Sequence, residues 1–193
     1  MANLKNKLDT LIDLIRPREP AINNLLPGLT KEKIKSITNS LPFELPEEIY
    51  QLYQWRNGID IDSNQEIPFL FRDHYLSNLE KAVENYQIFL GSSSDLVEEY
   101  RDVIDWEKCF PFAELEDSLM LIVCGNHKFI EKHKNPIMVI HEDVGIEYYS
   151  FEKMLDTCIE WNQQSFNKYG IPENEEEIWK KHNPGIFNIE LFD

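Results

Sequence analysis

The sequence predicts an α+β domain in which helices flank a central antiparallel sheet. Apolar residues recur at helical spacing in the first ninety residues and again after residue 150. Between residues 106 and 149 the pattern changes to short apolar runs separated by turn residues, which is typical of strands. The 193 residues, 42% of them hydrophobic, suit one core. Helices before and after a meander of strands make an α+β fold.

Two helices are predicted before residue 41. The first carries five apolar residues on one face and stops before Pro17: Leu4, Leu8, Leu11, Ile12 and Ile15. The second runs from an N-cap at Thr30 to about Ser40, with Leu29 and Ile34 placed for a hydrophobic staple. We therefore expect residues 1–28 to form an N-terminal helix and a proline-containing linker, ahead of a domain at 29–170.

A third helix is predicted to follow Pro46. Proline suits the first helical turn, and the apolar residues Ile49, Leu52 and Tyr53 share one face. The pair Asn57-Gly58 is a typical C-cap, because glycine adopts the left-handed conformation that ends many helices. This segment is the best-defined helix of the sequence.

A fourth helix is predicted from a capping box at Ser77 and Glu80 to Gly91. Residues 60–73 are expected to be irregular or extended. Residues 95–100 are expected to form a further short helix.

Four strands are predicted, over residues 106–112, 118–124, 136–141 and 145–149. Ser150 then caps a helix whose apolar face extends as far as Phe166. The acidic run 173–177 leads into a short last helix. We expect residues 171–193 to form an acidic extension that packs on the domain.

Three segments of this chain, in order, resemble the SUKH superfamily, whose members are similar to the fungal regulator of cell-wall assembly and glucan synthesis. The segments are an L-P helix start followed about ten residues later by N-G, an F-P strand, and an S-F helix start. Their matching residues are Leu45, Pro46, Asn57, Gly58, Phe110, Pro111, Ser150 and Phe151. The resemblance covers about residues 30–165.

The resemblance implies a non-enzymatic protein-binding module. Bacterial members of the family are commonly immunity proteins that bind and block a toxin, and this is the function we expect. Fungal relatives act as signalling scaffolds, so a scaffold or regulator is the first alternative. A fold by itself does not identify a partner.

The net charge and the spacing of motif residues argue against several other classes of function. The net charge is −16, and residues 41–193 alone carry −19, which disfavours nucleic acids and anionic membranes as partners. The closest two glycines are fifteen residues apart, so no phosphate-binding glycine loop is present. The three cysteines have no metal-binding or redox spacing, and no signal sequence or long apolar run appears. These features predict a cytoplasmic protein.

No cofactor or metal is expected either. Asp60, Asp62 and Asn64 begin like a calcium loop, but the required glycine and glutamate do not follow. His127 and His133 lie among lysines, which suits a basic loop better than a metal site. A metal-assisted hydrolase that uses His141 and nearby carboxylates is the remaining, least favoured alternative.

The expected partner is a protein with a basic surface. Clustered carboxylates can imitate phosphates and occupy the basic cleft of a nuclease. Trp55 is a second kind of candidate, although a tryptophan at the rim of the core is the preferred interpretation. The acidic candidates lie in two groups along the chain: Glu98, Glu99, Asp102 and Asp105, then Glu114, Glu116 and Asp117.

Overall fold

A computed structural model describes residues 2–60, 66–91, 104–124, 135–141, 144–167 and 170–186. Within these ranges the helices are α1 (Ala2–Ile15), α2 (Lys31–Ile37), α3 (Glu47–Trp55), α4 (Leu79–Gly91), α5 (Phe151–Asn162) and α6 (Glu175–His182). The strands are β1 (Tyr75–Leu76), β2 (Cys109–Leu115), β3 (Ser118–Val123), β4 (Ile137–Ile140) and β5 (Val144–Tyr148). The predicted α+β class is confirmed. The short helix predicted at residues 95–100 lies outside the described residues.

The five strands form one antiparallel sheet in the order β1-β2-β3-β4-β5. Strand β2 begins at Cys109 rather than at residue 106, because residues 106–108 form a 3-10 turn. Strand β1 was not predicted, since two residues are too few to show an alternating pattern. The register of β2 shifts between Pro111 and Ala113, and such a bulge tolerates a proline that cannot donate a ladder hydrogen bond.

Three phenylalanines join the sheet to the helices at the centre of the core. Phe71, Phe112 and Phe151 are fully buried and meet edge to face, with ring centroids 5.7–6.0 Å apart. Each comes from a different element: the segment before β1, strand β2 and the start of α5. Aromatic pairs of this geometry add to the stabilisation that burial provides.

Helix α1 packs against α5. Its residues Leu8 and Leu11 are fully buried in the same core as the sheet. Lys7 Nζ lies 2.8 Å from Glu152 Oε1 and 2.6 Å from Asp156 Oδ1, which pairs the two helices at the edge of the contact. The N-terminal helix therefore contributes to the core that the rest of the chain builds.

The end of α3 differs from the predicted C-cap. The helix ends at Trp55 and the C-cap is Arg56, whose backbone is extended. Gly58 has a φ of +64°, but it lies beyond the position that a glycine cap occupies. A Cβ at Gly58 would lie 2.4 Å from the carbonyl oxygen of Leu76. The glycine is needed because the chain passes close to β1, and the sequence interpretation of this residue as a helix cap was wrong.

The predicted capping box of α4 is also corrected. Asn78, not Ser77, caps the helix, since its Oδ1 accepts a hydrogen bond from the Lys81 backbone at 2.8 Å. Ser77 is buried and donates to Glu114 instead. The cap prediction failed by one residue because serine and asparagine are both good N-cap residues and a buried carboxylate engages the serine.

Helix α5 begins as predicted and ends early. Ser150 Oγ accepts a hydrogen bond from the Lys153 backbone, which is the expected cap. The helix stops at Asn162, so Phe166 does not belong to it. Phe166 instead forms an isolated bridge with Pro172, and the Arg18 guanidinium lies 3.8 Å from its ring centroid.

Candidate functional site

The acidic residues that sequence analysis proposed for partner binding do not form one group. Glu98, Glu99 and Asp102 lie outside the described residues. Asp105 precedes β2 and forms an ion pair with Lys108 at 2.7 Å. Glu116 and Asp117, which we call the hairpin tip, form the exposed two-residue turn between β2 and β3. Strand β2 separates Asp105 from the hairpin tip by roughly 20 Å.

Glu114 is not a surface residue, which corrects the sequence prediction. Its exposed fraction is 8%. Its Oε1 accepts a hydrogen bond from Ser77 Oγ at 2.7 Å, and its Oε2 accepts one from Asn85 at 2.9 Å. The two oxygens therefore join β2 to the residue after β1 and to α4, and both are engaged within the protein. The predicted strand ended at residue 112, whereas β2 extends to Leu115, so the sequence pattern did not indicate that Glu114 lies in a strand.

The segment before β1 is hydrogen-bonded to the base of the hairpin tip. His74 is buried, and its Nδ1 lies 2.7 Å from Asp73 Oδ1. Its Nε2 lies 2.9 Å from the Oγ of Ser118, the first residue after the tip. This connection places the half-exposed carboxylate of Asp73 on a segment that is anchored beside the hairpin.

Two more carboxylates interact with this segment. Arg72, in the left-handed conformation with a φ of 58°, pairs with Glu175 Oε1 at 2.7 Å. Burial raises the pKa of the Glu147 carboxyl. The positive charge of Arg72 opposes this shift, and the negative charges of Asp73 and Glu175 add to it. Asp73, Glu147 and Glu175 therefore share one electrostatic environment, and we call them the acidic cluster. Its members lie far apart along the chain, so no local pattern predicts it.

The order Ser118, His74, Asp73 is that of a nucleophile, a base and an orienting acid. Ser118, however, is only 6% exposed, and its hydrogen bond to His74 is buried. A nucleophile must contact the reacting atom of a substrate, and this burial prevents that approach. The arrangement therefore holds the loop to the sheet.

The described residues do not assemble a metal site. Among them, no three His, Cys, Asp or Glu side chains are grouped so that they could hold an ion. Asp62, Asn64, His127 and His133 lie outside the described ranges, as do the two carboxylates that follow the exposed His141.

The cysteine thiols are held in their protonated form. Cys109 and Cys158 are buried. Burial raises the pKa of the Cys158 thiol to about 12 and that of Cys109 well above its usual value. Neither is therefore prepared to act as a nucleophile.

Trp55 lies at the rim of the core. It is 7% exposed, and its indole Nε1 donates a hydrogen bond to Asp9 Oδ1 at 2.7 Å. Tyr53 is fully buried. These two aromatic residues offer a partner little apolar area, so they are weaker candidates than the carboxylates at the hairpin tip.

The residues that carry the family resemblance lie in the core, at the starts of helices or at the β2 bulge. Phe110 and Phe151 are in the core, Leu45 and Asn57 are buried, and Pro46 is the N-cap of α3. Pro111 lies at the β2 bulge, and Ser150 caps α5.

Asn57 Oδ1 accepts a hydrogen bond from the Leu79 backbone at 3.0 Å, so the end of α3 is joined to the start of α4.

No family model and no curated protein matches the chain. Within the described part of the chain, none of the helices is long and apolar enough to cross a membrane.

Proposed function

We propose that this chain is a non-enzymatic protein-binding module with a SUKH-like fold, and that it acts as an immunity-type protein that binds and neutralises a toxin. The sequence motifs and the α+β architecture support the family. The charge of −16 supports a partner with a basic surface.

The observation that carries the proposal is the position of the exposed carboxylates. Glu116 and Asp117 project from a two-residue turn, where backbone atoms on both sides are held in the sheet. The neighbouring loop is held by the His74–Ser118 hydrogen bond. Binding therefore requires little ordering of this surface, and preorganised charge favours fast and specific association.

A basic catalytic cleft is the partner surface that this arrangement fits best. A nuclease binds phosphates with lysine and arginine, and carboxylates on a rigid turn can occupy the same positions. Asp73, on the loop that His74 joins to Ser118, adds a further carboxylate near the tip. A protein bound in this way blocks the cleft without any chemistry of its own.

The test is affinity capture from cells of the source organism, with the wild-type chain and the double variant E116K/D117K as baits. Captured proteins are identified by mass spectrometry. Each specific protein is then expressed alone and together with the chain in a bacterial host. We expect a basic protein that is lost with the variant, that stops growth when expressed alone, and that is tolerated when the chain is present.

The matched control is E44K/E66K, which makes the same change in net charge at two exposed positions away from the turn. Equal loss of capture with both variants would mean that the partner responds to the net charge of the protein and not to the position of the two carboxylates at the tip. A captured protein that does not affect growth would favour the scaffold or regulator. Capture of no specific protein would contradict the proposal.

A further inference from the structure

A second surface of this acidic protein has the opposite charge. An open groove of about 590 Å³ lies between α1, the start of α2 and the length of α3. Three cations line it, one from each neighbouring element: Lys5, Lys31 and Arg56. Its volume is within the range of roughly 300–1,000 Å³ that is usual for ligand sites.

The two carboxylates of the groove are engaged by its own residues. Asp9 accepts the hydrogen bond of the Trp55 indole at 2.7 Å, and Glu47 accepts one from Gln51 at 3.1 Å. The three cations form no salt bridge with any carboxylate of the described residues. The lining therefore carries one net positive charge on a molecule of charge −16, and Arg56 also donates one hydrogen bond to the Trp55 backbone carbonyl at 3.2 Å.

The remaining lining suits an extended polypeptide. Gln51 and Gln54 lie three residues apart on α3, so their side chains share one face and border the groove. Amide side chains can both donate to and accept from the backbone of an extended chain. Trp55, held in place by Asp9, adds only a small exposed edge to the lining, so the polar and charged groups would carry the binding.

We propose that this groove binds an extended acidic peptide segment of a partner protein, with its carboxylates at Lys5, Lys31 and Arg56 and its backbone at the two glutamines. This goes beyond the proposed function, because it assigns a different surface and a ligand of opposite charge. A small anion fits less well, since the cations come from three separate elements and border an open groove. A nucleic acid fits less well, because the rest of the molecule repels a long phosphate backbone.

The experiment measures binding of a fluorescein-labelled hexapeptide of alternating glutamate and alanine by fluorescence anisotropy. The comparison peptide has glutamine in place of each glutamate. The acidic peptide is expected to bind, and K31E/R56E to weaken it by about tenfold or more, since two attractions become repulsions. Lys31→Glu should not disturb folding, because residue 31 is in the first turn of α2, where an acidic side chain is favourable.

The control is Lys33→Glu, on the same helix but outside the groove lining, where the lysine lies 4.0 Å from Glu80. It should bind the acidic peptide with an affinity within about twofold of the wild type. E116K/D117K should also retain the peptide, which separates this site from the toxin-binding surface.

Three results would overturn the proposal. The first is no binding of the acidic peptide at about 1 mM, the weakest affinity that a specific site would have here. The second is equal binding of the glutamine peptide or equal loss with Lys33→Glu. The third is displacement of the peptide by pyrophosphate or a single-stranded oligonucleotide at lower concentration than unlabelled peptide, which would assign the groove to phosphates.

Discussion

At the scale of the residue, the backbone of Gly58 is constrained on two sides. Its carbonyl accepts a hydrogen bond from the Leu26 backbone at 2.7 Å, and the next residue, Ile59, donates to Leu76 at 3.1 Å. Its backbone is therefore held between the loop before α2 and strand β1. Residue 58 needs a positive φ and has no space for a side chain.

Gly58→Ala should destabilise the protein by roughly 2–4 kcal/mol, because a left-handed backbone and overpacking against Leu76 and Ser77 both contribute. Urea denaturation measures the loss. Gly91→Ala is the control, since a Cβ there meets nothing within 4 Å and should cost little or nothing. Equal effects of the two substitutions would show that close packing does not constrain residue 58.

Glu147 should make the folded protein less stable as the pH rises. Burial raises the pKa of its carboxyl above the ordinary value of 4.5, so the folded state holds this proton more tightly than the unfolded state. Ionisation of Glu147 therefore opposes folding. The cost is absent below pH 4.5 and develops as the pH rises through the raised pKa.

Glu147→Gln should accordingly raise the melting temperature at pH 7 and have little effect at pH 4. A gain of 1 kcal/mol corresponds to about 2–4 °C for a chain of this size. Thermal denaturation at the two pH values measures the difference. A variant that is less stable at pH 7 would mean that the Arg72 contact outweighs burial.

At the scale of the element, α4 depends on a cap that sequence analysis assigned to the neighbouring residue. Asn78 caps the helix through Lys81 and also donates to the Ile59 carbonyl at 3.0 Å. Asn57 accepts a hydrogen bond from the Leu79 backbone. The start of α4 therefore receives two side-chain acceptors, one local and one from the chain after α3.

Asn78→Ala should lower the free energy of unfolding by about 1–2 kcal/mol, and Asn78→Asp should restore part of it, because aspartate is an equally good N-cap. Chemical denaturation distinguishes the three proteins. Glu80→Ala should change stability by less than about 0.5 kcal/mol, since Glu80 is exposed and does not complete a capping box. A loss at Glu80 as large as that at Asn78 would restore the original assignment.

At the scale of the whole molecule, charge decides how a partner is approached. The field of an excess of sixteen negative charges extends over the Debye length, which falls from about 30 Å at 0.01 M salt to about 8 Å at physiological ionic strength. Attraction of this range acts on the association rate more than on dissociation.

Association with the basic partner should therefore slow steeply as salt rises over this interval, while dissociation changes less. E116K/D117K should slow association further and leave the melting temperature nearly unchanged, because exposed charges contribute little to stability. Surface plasmon resonance at two salt concentrations measures both rates. Association that does not respond to salt would point to an apolar interface instead.

The sequence predicted most of the fold because its signals are local. Helical spacing placed α1, α3 and α5 within a few residues, and Ser150 was identified as the cap of α5. The candidate site was predicted only in part. Glu116 and Asp117 are on the surface, but Glu114 is buried beside Ser77 and Asn85. The hydrogen bonds that decide its position come from residues 37 and 29 positions away in the chain.

By itself, then, the sequence determined the α+β class, the helix faces and the excess of negative charge, since each follows from neighbouring residues or from composition. Only the tertiary structure decided the role of Gly58, the burial of Glu114, the acidic cluster and the basic groove. These depend on which distant segments come together. Packing distances and the burial of polar groups are properties of such contacts, and local pattern does not contain them.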